Sequence, residues 1–151
     1  MKQVFDIVPP SGSAFTATAA VLVVVLVGLA ALFAYVIYSA AHVRVEVSSE
    51  GVRIHGGLYG RLIPLRDLII EQARITDLEI DFEHKLSWRT NGIGMPGYQA
   101  GWHRMKNGGK ALAFVTDRRQ VVFLPTRQKY AALLSVASPD QFLEALRAAA
   151  R

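Results

Sequence analysis

A mainly β domain anchored by one N-terminal transmembrane helix is the fold class this sequence predicts, on three observations. Residues 7–43 contain no Asp, Glu, Lys or Arg. After residue 43, short alternations of apolar and polar residues are separated by glycine-containing turn signals, the pattern of a β domain. The C-terminal residues carry an apolar stripe of helical period. The 151 residues are 52% hydrophobic and 19% charged, which excludes a disordered chain. Cysteine is absent, so disulfides, thiol catalysis and cysteine-zinc sites are excluded as well. The net charge of +5 suits an anionic surface as a neighbour but names none.

Residues 14–41 form the predicted transmembrane helix, behind a short tail at 1–13. A hydrocarbon core of about 30 Å needs roughly 20 helical residues, so this stretch is long enough to span. Its centre, residues 21–33, holds only Val, Leu, Ala, Phe and one Gly. The run Val23-Val24-Val25 favours a strand in water, but in hydrocarbon the backbone must bond to itself, and a helix results. Tyr35 and Tyr38 fit an interfacial belt. A cleaved signal peptide is the alternative, since Ser39-Ala40-Ala41 resembles a cleavage site. Against it, the apolar run is long and Lys2 is offset by Asp6. Arg44, Arg53, Arg61 and Arg66 follow the helix, and the positive-inside rule then places residues 42–151 in the cytoplasm, with the helix in the inner (plasma) membrane.

Residues 42–151 suffice for one small core. Val43, Val45 and Val47 alternate with Arg44, Glu46 and Ser48, and Val52 to His55 returns after a turn at Ser49-Glu50-Gly51, which predicts a hairpin. Gly56-Gly57 breaks it. Residues 58–65 predict a third strand, ending at Pro64 as an edge or terminus. Residues 75–82 alternate again and predict a fourth. Residues 86–90 and 102–105 predict strands on either side of a glycine-rich loop at 91–101. The runs 111–116 and 121–124 predict a central hairpin, and 130–136 a last strand. That makes about seven strands. A helix closes the chain, with Ser138 as cap, Pro139 at its first position, Asp140 at its positive end, and Phe142, Leu146 and Ala149 in one stripe beside Leu143 and Ala150.

Four segments carry a resemblance to a known family. They are residues 57–65, residues 89–98 with Pro96 and Tyr98, residues 110–117, and residues 135–139 leading into Phe142. In them the chain resembles the bacterial pleckstrin-homology-like (PH-like) domains fused to a transmembrane helix. The resemblance covers most of residues 43–147, and the glycine segment is its most specific part. It implies a β-sandwich or barrel of two nearly orthogonal antiparallel sheets capped by a C-terminal helix, in an anchored protein. It supplies no agreed ligand and no catalytic residue.

The motifs that could carry chemistry are weak. Gly92, Gly94 and Gly97 match the dinucleotide fingerprint literally, with Asp117 beyond, but the next residues cannot open the helix that motif needs. His42, His55, His84 and His103 show no metal-ligand spacing. Asp77, Glu79, Asp81 and Glu83 read as a solvated strand face. No nucleophile elbow and no Walker pattern occurs. Charge segregation says more: residues 67–83 hold six acids and one arginine, whereas residues 85–129 hold nine lysines and arginines and one acid. This predicts one basic face and one acidic edge.

The expected role is therefore a single-pass membrane protein displaying a PH-like interaction or scaffold domain, not an enzyme and with no cofactor. Met95, Pro96 and Tyr98 are the candidate partner loop. The alternative is a sensor of anionic lipid headgroups or small anions through Arg44, Arg89, Arg104, Lys106, Arg118 and Arg119. Expected partners are membrane lipids and another membrane or membrane-associated protein. Nucleic acid is not expected, although Trp88, Tyr98 and Trp102 interleave the basic residues, and homo-oligomerisation stays open.

Overall fold

The computed structural model describes residues 12–56 and 58–151. The expected tail, with Lys2 and Asp6, lies outside the described residues except for Gly12 and Ser13, and so does the predicted break at Gly57. The chain divides into two compact units, with the boundary between Tyr38 and Ser39.

The first unit is helical. Helix α1 runs Gly12–Ala41, and its stretch Phe15–Tyr38 contains an 18-residue window of mean hydropathy 3.0, none of it buried. At 1.5 Å per residue, that stretch is about 36 Å long, enough to cross a hydrocarbon core of about 30 Å. Near its start, the Thr16 hydroxyl donates to the carbonyls of Gly12 and Ser13, both at 3.0 Å.

The second unit is mainly β. Strands β1 (Arg44–Ser48), β2 (Gly51–His55) and β3 (Arg61–Pro64) form an antiparallel three-stranded sheet in that order. The β1–β2 hairpin is as predicted: Val45 pairs with Ile54 and Val47 with Val52, while Arg44, Glu46 and Ser48 face out. The third strand is shorter than expected, beginning at Arg61 and ending at Pro64 on the sheet edge.

Strand β4 is only Arg74–Thr76, although alternation predicted a strand through residue 82. The carboxylates end it. Asp77 Oδ1 accepts the Glu79 amide at 2.8 Å and Asp81 Oδ1 accepts the His84 amide at 3.2 Å, so turns replace the ladder. Leu78 is buried, but Ile80 and Phe82 are exposed. The turns are tied down at Asp81, which also accepts from His84 Nδ1 (2.8 Å) and the Thr76 hydroxyl (2.8 Å). Partial burial pushes this carboxyl up. The bonds from His84 and Thr76 more than offset it and hold the pKa at about 2. A depressed carboxylate pKa adds stability above its ordinary value of 3.8, and that stability is lost as pH falls toward 2. The melting temperature of the wild type should therefore drop between pH 4 and pH 2 more steeply than that of Asp81→Asn. Parallel profiles would show that the ties contribute nothing.

Strands β5 (Leu86–Met95), β6 (Tyr98–Met105), β7 (Lys110–Val115), β8 (Val121–Pro125) and β9 (Tyr130–Leu134) complete a six-stranded sheet of order β4-β8-β9-β7-β6-β5. The glycine-rich segment is thus a long hairpin and not a loop. It turns at Pro96-Gly97, where Gly97 takes the φ of +78° that a type II turn requires. Gly92 lies opposite Gly101, and a Cβ on Gly92 would stand 2.3 Å from the Ala100 carbonyl oxygen. These glycines serve close strand contact.

β7 and β8 do not form the expected hairpin. β9 lies between them, parallel to β7 and antiparallel to β8. The β7–β8 connection passes over the end of β9, where the Ser135 hydroxyl accepts from the amides of Thr116 and Asp117 and donates to the Asp117 carbonyl.

One core cluster joins the two sheets and helix α2 (Pro139–Ala149): Val52, Ile54, Ile63, Leu112, Phe114, Leu134, Phe142 and Leu146 are among its members. A second cluster occupies the opposite face of the six-stranded sheet, with Leu78, Met105, Ala111, Val121 and Leu133. The central strands are therefore buried on both faces, which accounts for their continuous apolar runs. Ser138 precedes α2 as predicted, but its hydroxyl makes no cap; its carbonyl accepts the Phe142 amide instead.

Candidate functional site

β5 is an edge strand, paired among the described residues with β6 alone. Its residues 87–91 are all exposed, and Trp88 keeps 69% of its surface in solvent. Beside this edge lies an open cleft of about 570 Å³, bordered by Trp88, Arg89, Gly94, Gln99 and His103.

A regular strand sends consecutive side chains to opposite faces, yet Trp88 and Arg89 both line the cleft. The β5–β6 register shifts between Leu86 and Trp88 and again between Arg89 and Asn91, and such bulges re-aim side chains. Arg89 pairs with His103 and Gly94 with Gln99, so these four residues share one face. The Arg89 guanidinium crosses Gly94, with Nη1 2.9 Å from where a Cβ on Gly94 would stand. His103 is buried, and Nδ1–H donates to the Gly101 carbonyl at 3.2 Å. Burial pushes the imidazole pKa down; the Gly101 carbonyl pulls it up and the Arg89 charge pushes it down again. His103 is thus a neutral wall of the cleft at neutral pH. Gln99 Oε1 is buried and has no hydrogen-bond donor among the described residues.

The sequence-predicted residues scatter. Met95 and Pro96 line the cleft. Tyr98 turns the other way, packs half-buried against the core that joins the sheets, and has its phenol pKa raised by burial. The six basic candidates fall into separate groups. Arg44 is exposed on β1, and Arg89 is in the cleft. Arg104 and Lys106 lie at one end of the β6–β7 pair, where Arg104 donates to the Gly108 carbonyl and the Lys106 ammonium stands 5.7 Å from the exposed Phe82 ring. Arg118 and Arg119 follow the opposite end of β7, and Arg119 meets Glu79 at 3.4 Å. No three potential metal ligands converge among the described residues. Gln99 and the free edge of β5 had no signal in the sequence; Arg89 was legible as a charge, though not as half of a pair with Trp88.

A small β domain of two sheets closed by a C-terminal helix, with an open cleft at a sheet edge, is the architecture of a PH-like binding domain. Residues 43–150 match the family described as Bacterial PH domain, and the chain belongs to that family. PH domains are generally non-catalytic and commonly bind lipids or proteins. No curated protein and no solved structure matches the chain.

Proposed function

We propose that this chain is a single-pass membrane protein that displays its PH domain in the cytoplasm as a binding module for another membrane or membrane-associated protein, with no catalysis. The observation that carries the reading is the shortness of the join. His42 and Val43 alone separate α1 from β1, so a domain of a binding family follows directly on a helix long and apolar enough to span. A flexible tether reaches about 5–6 Å times the square root of its length, so this one gives almost no reach. Recognition is thereby confined to partners at the membrane surface.

The full chain should stay with membranes through alkaline carbonate extraction. Protease added to intact cells should leave residues 42–151 whole. Photo-crosslinkers placed singly at positions 44, 90 and 144 should yield a protein adduct in native membranes at one position or more. Extraction by carbonate, digestion without lysis, or adducts with lipid alone would each overturn the corresponding part. A second reading, attraction to anionic headgroups, is favoured by Lys106 standing 5.7 Å from the exposed Phe82 ring, with Arg104 two residues before it in the chain. It predicts salt-sensitive flotation of the domain with anionic vesicles, lost in Arg104→Ala/Lys106→Ala.

A further inference from the structure

We propose that the free edge of β5, with the cleft beside it, takes an extended acidic segment of a partner protein as an added strand; this rests on the interaction-domain reading above. Strand addition needs an unpaired edge, a regular stretch to pair with, and pockets for alternate side chains. β5 offers all three. Residues 91–95 pair with β6 residue for residue, beyond the bulges that bend the earlier part of the strand. Gly92 and Gly94 put no side chain in the way of an incoming backbone. The cleft then receives the side chains that the added strand turns toward this face.

The chemistry of the occupant follows from what lines that cleft. Arg89 is its charged group, no carboxylate borders it, and among the described residues no carboxylate lies within ion-pair distance of Arg89. An Asp or Glu of the incoming segment would complete the guanidinium in a charge-assisted hydrogen bond. Gln99 lies on the same face as Arg89 and forms part of the cleft wall. Trp88 gives an exposed apolar plate at the mouth. Neutral His103 adds no opposing charge. A lysine-rich segment would meet Arg89 with like charge, and a ligand with no backbone would leave the edge unused.

The test uses the full chain in nanodiscs of zwitterionic lipid. Its probes are an end-capped peptide alternating valine with glutamate, the same peptide with lysine for glutamate, and the glutamate peptide N-methylated at alternate residues. The glutamate peptide should bind at least tenfold more tightly than the other two, and Arg89→Glu should reverse the preference toward lysine. If Arg89→Glu does not fold, Gly94→Ala serves, since its methyl displaces the guanidinium and should weaken the glutamate peptide severalfold. Equal binding of the glutamate and lysine peptides, or no binding, overturns the proposal. Undiminished binding of the N-methylated peptide does so too, because it shows an acid site without strand pairing. Failure of the peptides alongside a protein adduct at position 144 on α2 leaves the interaction-domain reading standing and removes this one. Absence of protein adducts at every position removes both.

Discussion

Gly101→Ala should destabilise the PH domain by about 3 kcal/mol or more, among the larger effects a single substitution produces. Gly101 sits at φ +104°, where an L side chain is strained. Its Cβ would also stand 2.6 Å from the Asn91 carbonyl oxygen, 2.7 Å from the Gly92 Cα and 3.1 Å from the Tyr59 ring. The first two are backbone atoms of the paired strand and cannot swing aside, so β5 and β6 must part. Gly97→Ala is the control: it too has a positive φ, +78°, but nothing lies within 4 Å of the new methyl. It should cost about 1 kcal/mol, from conformation alone. Thermal melts of the two variants compare these costs directly. Equal losses would mean that strand contact at Gly92 and Gly101 is loose enough to admit a methyl group.

Leu146→Ala should cost about 3–4 kcal/mol, within the range for buried leucines. Leu146 is 0% exposed and shares a cluster with Val52, Ile54, Phe114 and Leu134, so it fastens α2 to both sheets. Glu144→Ala, on the exposed face of the same helix, should change stability by about 0.5 kcal/mol at most. Urea titration separates the outcomes: the midpoint falls with the slope unchanged if packing alone is lost. A fall in slope would show that α2 detaches before the sheets unfold.

What could be read from the sequence depended on whether one face of an element meets water. β1 and β2 are half-exposed, so valine alternates with charge and the hairpin is plain. β7, β8 and β9 are buried on both faces. Their apolar runs show that strands exist but not which strand neighbours which, and the insertion of β9 is a long-range choice that local pattern does not encode. Residues 78–82 imitate a strand because Leu78, Ile80 and Phe82 alternate with acids, yet Asp77 and Asp81 use those acids to close turns. The glycine segment misleads in the other direction. Glycine usually marks loops, but Gly92 and Gly101 let two backbones approach within a ladder. At the site, Arg89, Met95 and Pro96 stood out by residue type. The turn of Tyr98 toward the core and the shared cleft of Trp88 and Arg89 depend on strand parity and on bulges, which no residue type announces.

The placement of β9 also sets an order of events during synthesis. β7 leaves the ribosome before β8, but its lateral neighbour in the finished sheet is β9, which emerges after both. The β5–β6–β7 portion must therefore wait with an open side until the β8–β9 hairpin forms and docks, and pairings between distant segments are the slow ones. Until then, residues that the finished fold buries, such as Ala113 and Phe114, stay uncovered.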